Sequence, residues 1–205
     1  MKSISLSDIQ AMEKLVRVQF ANSLPGAKPI ALVGSVDRKG KTNLAPFSTV
    51  THLGSNPPLI GLVSRPDLVD RHTLSNILDS RFYTINHIHP GFFERAHHCS
   101  ARYPREVSEF EATGLTPHFE KNIPAPFVGE SRFRFALELQ ETIPITTNDT
   151  ILIVGKVILV QLPEDHLAAD GSVDLLGLES MASTALDTYF KLGEPTRLPY
   201  AKPKS

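Results

Sequence analysis

The stretch KPIALVGSVDRKGKTNLAPFSTVTHLGSNPPLIGLV, residues 28–63, places a polar, hydroxyl-rich segment between two hydrophobic strands. Residues 30–36 are mostly apolar on both faces and predict a strand, which the D-R-K-G sequence turns back as a hairpin loop. The returning strand is predicted over residues 41–44, and the pattern then breaks. Pro46 has no N–H to donate to a ladder, so we expect the backbone of residues 45–51 to leave regular pairing and turn free N–H groups toward a ligand.

The rest of the chain predicts a mainly β protein, an antiparallel β-barrel with peripheral helices. Residues 59–64 and 82–89 predict two further strands. Residues 133–140 alternate apolar and polar side chains, which is typical of a strand with one buried and one wet face. Residues 151–160 are apolar on both faces except at Lys156, which indicates a strand in the centre of the assembly or at a subunit contact.

Helices are predicted at the periphery of this barrel. Ser7 and Gln10 form the capping box of an N-terminal helix over residues 7–24, whose apolar side chains recur at helical spacing and give it a packing role. A short helix is predicted over residues 70–80. Residues 90–130 hold short helical pieces separated by Pro and Gly, which is typical of an insertion that lies over a barrel.

Length, charge and cysteine content narrow the class of protein. The 205 residues are enough for a substantial core and predict a single domain over residues 1–205. Because 21 basic and 22 acidic residues nearly cancel, neither nucleic acid nor an anionic membrane is favoured as a partner, and a bound anion needs a local site. No segment has the length of a membrane span, and residues 1–8 lack the regions of a signal peptide. We therefore expect a soluble protein. Because Cys99 alone cannot form an internal disulfide, we expect it in a reducing compartment, the cytoplasm.

Several ordered blocks resemble the flavin reductase-like family, whose members bind FMN on a split β-barrel. The first is the order hydrophobic strand, D-x-x-G, T-N-L-A-P-F-S and S-N-P-P-L-I-G-L-V. The second comprises residues 64–65 and 70–77, similar to a family stretch in which a Thr and an Asn-Ile pair begin a helix beside the flavin phosphate. Residues 103–117 are similar to a further block. The resemblance covers roughly residues 25–200 and implies an FMN-binding split barrel.

FMN needs N–H groups, hydroxyls and a cation for its phosphate, and an apolar slot for its ring. Ser48, Thr49 and Thr51, with the backbone from Pro46 to Thr49, are candidates to hold the phosphate and the ribityl chain. The alternative is that these hydroxyls satisfy a β-bulge, and the local turn chemistry alone does not separate the two interpretations. The family resemblance favours the ligand.

Thr73 and Asn76 lie three residues apart on the predicted short helix, so they share a face and can reach a ligand at its start. Arg65 is the preferred cation for the phosphate, with Arg71 as the alternative. The competing interpretation is a helix capped by Asp70, with both arginines solvated.

Two positions are predicted near the flavin ring, where the family places such groups. Asn43 is a candidate to hydrogen-bond the pyrimidine edge, and Phe47 lies beside it in the sequence block. Backbone amides near Ala45 would serve equally well. An aromatic wall for the substrate side is predicted from Tyr103 or Phe110, against the alternative of an amphipathic segment with buried aromatic side chains.

The histidines invite comparison with metal sites. H-x-H over residues 87–89 and H-H-C over residues 97–99 carry ligand types that zinc accepts. Neither C-x-x-C nor H-E-x-x-H spacing fixes their geometry, so we expect no metal. Near the C-terminus, Tyr189 and residues 192–199 resemble the closing segment of the family. Residues 179–183 depart from it, because many relatives carry an Arg-rich, Gly-Gly stretch there.

The resemblance implies an FMN-dependent oxidoreductase in which NAD(P)H gives a hydride to the flavin. Hydride transfer requires no side-chain acid or base, so no catalytic residue is assigned. The apolar residues 151–160 and unpaired strand edges predict a homodimer. The alternatives are a flavin-binding electron carrier or redox sensor without NAD(P)H turnover, and a cofactor-free structural protein.

Overall fold

The computed structural model describes residues 1–66 and 72–203, and it is mainly β, as predicted. The helices are α1 (Leu6–Ala11), α2 (Lys14–Ser23), α3 (His72–Ser80), α4 (Phe93–His98) and α5 (Glu109–Thr113). The strands are β1 (Lys28–Pro29), β2 (Ala31–Val36), β3 (Thr42–Phe47), β4 (Thr51–Ser55), β5 (Pro58–Ser64), β6 (Phe82–His87), β7 (Pro117–Glu120), β8 (Ile123–Val128), β9 (Arg134–Ile145), β10 (Thr150–Gln161), β11 (Met181–Thr184) and β12 (Thr188–Lys191).

A seven-stranded antiparallel sheet forms the body of the molecule, in the order β3-β2-β6-β9-β10-β5-β4. β3 lies at one edge of this sheet and β5 lies next to the other. The Thr49 hydroxyl nevertheless donates to the carbonyl of Val63 on β5 at 3.2 Å and accepts from its N–H at 3.1 Å. The sheet therefore curls until its two ends meet at Thr49, which makes it a barrel.

A three-stranded and a two-stranded sheet accompany the barrel. The order β1-β11-β12 joins the segment after α2 to the C-terminal hairpin, and β7 pairs with β8. The core inside the barrel includes Val33, Leu62, Tyr83, Ile85, Leu137 and Ile153. A second core cluster lies beneath α4 and α5 and includes Leu32, Leu44, Ile88, Phe92 and Phe110.

The predicted insertion over residues 90–130 contains the expected short helices α4 and α5, but its last part belongs to the core. Ala125 and Phe127 of β8 are fully buried, and they pack on the face of the main sheet. Pro124 and Pro126 are tolerated because β8 pairs on one side alone, with β7. The interpretation of this whole segment as an overlying insertion was therefore wrong for β8.

The predicted N-terminal helix over residues 7–24 is wrong, because two helices replace it. Ser5, and not Ser7, caps α1, in a reciprocal capping box with Asp8. Met12 has an extended backbone and Glu13 a non-helical one, and the Arg17 guanidinium donates to the carbonyl of Met12 at 2.9 Å where α1 ends.

The packing role predicted for the N-terminal segment is only partly seen within a single chain, where Ile9, Met12 and Phe20 are half-buried. Neither α1 nor α2 has a buried residue. Leu15 and Val16 are 68% and 51% exposed. The first turn of α2 therefore leaves apolar side chains in contact with solvent in the isolated chain.

The break predicted at residues 45–51 was placed too early. β3 continues through Pro46 and Phe47, which pair with Leu32 and Ala31 of β2. Pro46 is accepted because β3 is an edge strand and its nitrogen faces the open side. Leu44, two residues earlier, confirms that direction, since its N–H points away from β2 to the Glu109 carboxylate at 2.8 Å.

β9 and β10 form the longest hairpin of the sheet, and β10 lies between β9 and β5 as a strand of the sheet's interior. On β9 the predicted alternation holds for Phe135, Leu137 and Leu139, while Ala136 on the opposite face is also buried, beneath β8. Within residues 1–66 and 72–203, none of the helices has the length and apolar character needed to cross a membrane.

Candidate functional site

A cavity of about 800 Å³ opens between the edge strand β3, the start of α3, the segment after α4 and the C-terminal hairpin β11–β12. This volume lies within the range of pockets that hold cofactors. Eight of the ten predicted cofactor-binding residues line it: Asn43, Ala45, Pro46, Phe47, Ser48, Thr49, Arg65 and Thr73. Thr51 and Asn76 do not.

The three candidate hydroxyls of the polar segment have different surroundings. Thr49 lines the cavity, but its hydroxyl is occupied by both backbone groups of Val63. Thr51 lies on β4, exposed and away from the cavity. The Ser48 hydroxyl has no hydrogen bond to any described residue and lines the cavity. Of the three, Ser48 is the hydroxyl that remains available to a ligand.

A buried hydrogen-bond network holds the amide of Asn43 against the cavity. Its Nδ2 donates to the Thr73 hydroxyl at 2.9 Å and to the Ser35 hydroxyl at 3.3 Å. Asn76 Nδ2 donates to the same Ser35 oxygen at 3.2 Å, from behind the cavity wall. With both N–H groups of Asn43 used, its Oδ1 is the remaining polar atom of the side chain, an acceptor. Asn76 thus supports the network, whereas Asn43 and Thr73 face the cavity.

The cavity has a local excess of positive charge that the whole chain lacks. Its described lining includes Arg65, Arg102 and Arg105 but a single carboxylate, Glu109. Arg105 also donates to the Asn76 Oδ1 at 3.4 Å. Such a lining favours an anionic ligand. The alternative cation Arg71 and the capping residue Asp70 lie outside the described residues.

Glu109 is an unusual group for a cavity wall, since it is 6% exposed. Burial raises the pKa of its carboxyl, while the hydrogen bond from the Leu44 N–H acts in the opposite direction. The carboxylate takes the place of a neighbouring strand along the open edge of β3. It therefore fixes the backbone on which Asn43 and Ala45 are carried.

Another part of the cavity lining comes from α4, the loop that follows it and β12. His97 Nδ1 lies 3.1 Å from the Tyr189 hydroxyl, and both side chains line the cavity. Tyr103 lines it as well, and its place on the substrate side stays a prediction. Phe110, the other candidate for an aromatic wall, is buried in the core beneath α4 and α5, so that assignment was wrong.

The two histidines of the H-x-H sequence, His87 and His89, have structural surroundings. The His89 ring lies 3.0 Å from the Glu130 carbonyl and accepts from the Gly91 N–H at 3.0 Å. His87 Nδ1 lies 3.1 Å from the Ser180 hydroxyl. Among residues 1–66 and 72–203, no group of three His, Cys, Asp or Glu side chains is placed to hold a metal ion.

Sequence reasoning missed several residues of the site because they come from distant parts of the chain. Ser35 looked like one more residue of a buried strand. Arg102 lay in a polar loop. His97 was considered as a metal ligand, and Ser183 lay in the stretch that departs from the family pattern. Nothing local distinguishes these positions: the fold alone brings His97, Arg102 and Ser183 to the cavity and places Ser35 in the buried network behind its wall.

An antiparallel barrel with a large, positively lined cavity at one edge strand defines a class of small-ligand-binding barrel proteins. A model of the flavin reductase like domain matches residues 26–176. The chain therefore belongs to the flavin reductase-like family, as predicted, and with it to the flavin-related oxidoreductases.

Solved structures agree with this assignment. A split barrel domain protein of Shewanella frigidimarina NCIMB 400, which carries the name flavin reductase, is 42% identical with a TM-score of 0.94, over 98% of this chain and 100% of that one. Nitrilotriacetate monooxygenase component B from Bacillus cereus is 26% identical with a TM-score of 0.84, over 97% and 98% of the two chains. An uncharacterised protein of Aquifex aeolicus (strain VF5) is 30% identical over 68% of this chain and 71% of its own. The split barrel predicted from the sequence is confirmed.

Proposed function

We propose that this chain binds FMN in the cavity beside β3 and works as an NAD(P)H-dependent, flavin reductase-like oxidoreductase. The observation that carries the proposal is the convergence of Asn43, Ser48, Arg65 and Thr73 on one cavity, in a chain of the flavin reductase-like family. FMN supplies the hydride-accepting ring, and the protein supplies binding and orientation.

The lining residues fit both ends of FMN. The Ser48 hydroxyl, the Arg65 guanidinium and the N-terminal end of α3 suit a dianionic phosphate. Ala45, Phe47 and Leu74 give the same cavity an apolar part for a ring. In this arrangement the free Oδ1 of Asn43 accepts a hydrogen bond from the imide N–H on the pyrimidine edge. Thr73 holds the Asn43 amide in that orientation.

Replacing Ser48 by alanine should weaken FMN binding about tenfold, because one hydrogen bond to a charged phosphate is lost. Fluorescence titration of flavin-free protein with FMN measures the dissociation constant. Thr51→Ala is the matched control, since it also removes a hydroxyl of the polar segment but from outside the cavity. Equal losses in both variants, or a loss at Thr51 alone, would show that the phosphate is held elsewhere.

Mixing the FMN-loaded protein with NADH or NADPH under anaerobic conditions should bleach the flavin absorbance near 450 nm, a property of flavins in general. Stopped-flow absorbance measures the rate. Bleaching by dithionite but by neither nucleotide would overturn the reductase proposal and leave the electron carrier or redox sensor. A protein that takes up no FMN would leave the cofactor-free alternative.

We also propose that the protein works as a cytoplasmic homodimer. The exposed apolar side chains in the first turn of α2 and the exposed Ile158 and Val160 of β10 support an interface between two copies. The cytoplasmic location rests on the single cysteine of the sequence.

A further inference from the structure

The cavity wall contains an acidic group whose charge its structural role does not require. Glu109 of α5 lines the cavity and is 6% exposed, and its Oε2 accepts from the Leu44 N–H at 2.8 Å. The neutral amide oxygen of a glutamine would accept the same hydrogen bond. Because a carboxylate costs more free energy to bury than an amide does, the hydrogen bond alone does not explain the acid.

This carboxylate has no basic partner within the described residues. None of the arginines and lysines among them forms an ion pair with Glu109. Burial raises the pKa of its carboxyl, while the Leu44 N–H and the nearby His72 act in the opposite direction. The rest of the described lining favours an anionic ligand, so a carboxylate here works against the affinity for that ligand. Its presence therefore indicates a role other than binding.

Two hydrogen bonds from α5 fix the carboxylate along the edge of β3. The hydroxyl of Ser108, the residue before Glu109, lies 2.7 Å from the Thr42 hydroxyl. The bonded residues Thr42 and Leu44 flank Asn43, and the Leu44 nitrogen belongs to the peptide bond that joins it to Asn43. The carboxylate is therefore held beside the backbone of Asn43, the residue that the proposed function assigns to the pyrimidine edge of the flavin.

We propose that Glu109 lowers the reduction potential of the bound flavin. Two electrons and one proton convert the neutral flavin ring into an anion whose charge lies on the pyrimidine side. A carboxylate held near that side repels the new charge and destabilises the reduced form, whereas the oxidised ring is neutral. The reduced flavin then passes its electrons more readily to the next acceptor. The inference rests on the proposed function, because it needs FMN in the cavity with its pyrimidine edge at Asn43.

The reduction potential of the FMN-loaded protein tests this role. It is measured by stepwise reduction with dithionite against a reference dye, at pH 8, where the reduced ring is ionised. In Glu109→Gln the affinity for reduced relative to oxidised FMN should rise about tenfold, which is a rise in potential of about 30 mV for a two-electron couple. Oxidised FMN should bind at least as tightly as in the unaltered protein, because glutamine keeps the bond to Leu44. Glu109→Ala is a second variant without the charge, and its potential should rise as well.

Two control variants separate the charge of Glu109 from its surroundings. Glu111→Gln makes the same change of charge on the same helix, but Glu111 is exposed, pairs with Lys41 and does not line the cavity. Solvent screens a charge at that position, so the potential should equal that of the unaltered protein. Ser108→Ala removes the hydrogen bond to Thr42 without a change of charge, and it should also leave the potential unchanged.

Other results would overturn the role of Glu109. An unchanged or lower potential in Glu109→Gln would show that no charge at this position acts on the flavin. An equal rise in Glu111→Gln or Ser108→Ala would assign the effect to the net charge of the protein or to the packing of α5. Loss of FMN binding in both Glu109→Gln and Glu109→Ala would mean that the carboxylate holds the cofactor. If the unaltered protein takes up no FMN, the proposed function itself fails.

Discussion

Replacing Gly34 by alanine should lower the free energy of unfolding by about 3–5 kcal/mol, an overpacking penalty added to a broken buried hydrogen bond. Gly34 lies in β2, directly beneath β8. A Cβ there would collide with the backbone carbonyl oxygen of Pro126 and would lie 2.5 Å from the Thr84 hydroxyl. These are the two partners of a buried hydrogen bond of 2.6 Å, in which Thr84 donates to Pro126.

Backbone atoms cannot move aside as a flexible side chain does, so the added methyl group must displace β8 from the sheet. Urea unfolding of the flavin-free protein, followed by circular dichroism, measures the change. Gly193→Ala is the matched control, because no heavy atom lies within 4 Å of its Cβ position, and it should change stability by less than about 0.5 kcal/mol. Equal midpoints for the two variants would contradict the close approach of β8 to β2.

The opening hairpin was predictable because its signals are local. Residues 31–36 are apolar except Ser35, Gly40 adopts a positive φ in the turn, and the returning strand follows at once. The extent of β3 was not, because Pro46 is normally a reason to end a strand. Its tolerance depends on β3 being an edge strand, a fact about sheet order that residues 45–47 do not contain.

Some residues of the candidate site were also predictable from the sequence and others were not. Asn43, Ser48, Arg65 and Thr73 belong to blocks that the family resemblance marks, and the fold brings them to one cavity. Thr49 directly follows the T-N-L-A-P-F-S block, yet its hydroxyl bonds to the backbone of Val63 on a strand that begins nine residues later, whereas the β-bulge of β4 lies between His52 and Gly54.

Contacts between residues that are far apart in the sequence could not be predicted at all. His97 and Tyr189 are 92 residues apart. Pro124 and Pro126 make the sequence of β8 typical of a loop. Ala125, between the two prolines, and Phe127, after them, are nevertheless fully buried. In each instance the missing information is which segments pack together, and hydrophobic periodicity within one segment cannot supply it.

Acid should destabilise this protein through His87, by about 3 kcal/mol between pH 6.5 and pH 4. Burial lowers the pKa of His87 from 6.5 to about 4. The ring packs 4.4 Å from that of Phe133, and Nδ1 lies 3.1 Å from the Ser180 hydroxyl. Below pH 6.5 His87 is protonated in the unfolded chain but stays neutral in the folded chain, so the free energy of unfolding falls as the pH falls. The loss stops near pH 4, where the folded protein also accepts the proton.

His87→Gln should remove this part of the acid sensitivity, because glutamine keeps an amide for Ser180 but does not titrate. Urea unfolding at pH 7, 5.5 and 4 gives the slope, and the difference between the two proteins cancels the carboxylates they share. Ser180→Ala is the matched control: it removes the hydrogen bond at every pH but leaves the imidazole buried, so its slope should follow the unaltered protein. A slope in His87→Gln equal to that of the unaltered protein would mean that His87 is protonated as easily in the folded chain as in the unfolded one. The half-buried stack on Phe133 could not then be its environment in solution, because a charged imidazole packed against an aromatic ring costs free energy that full solvent exposure would avoid.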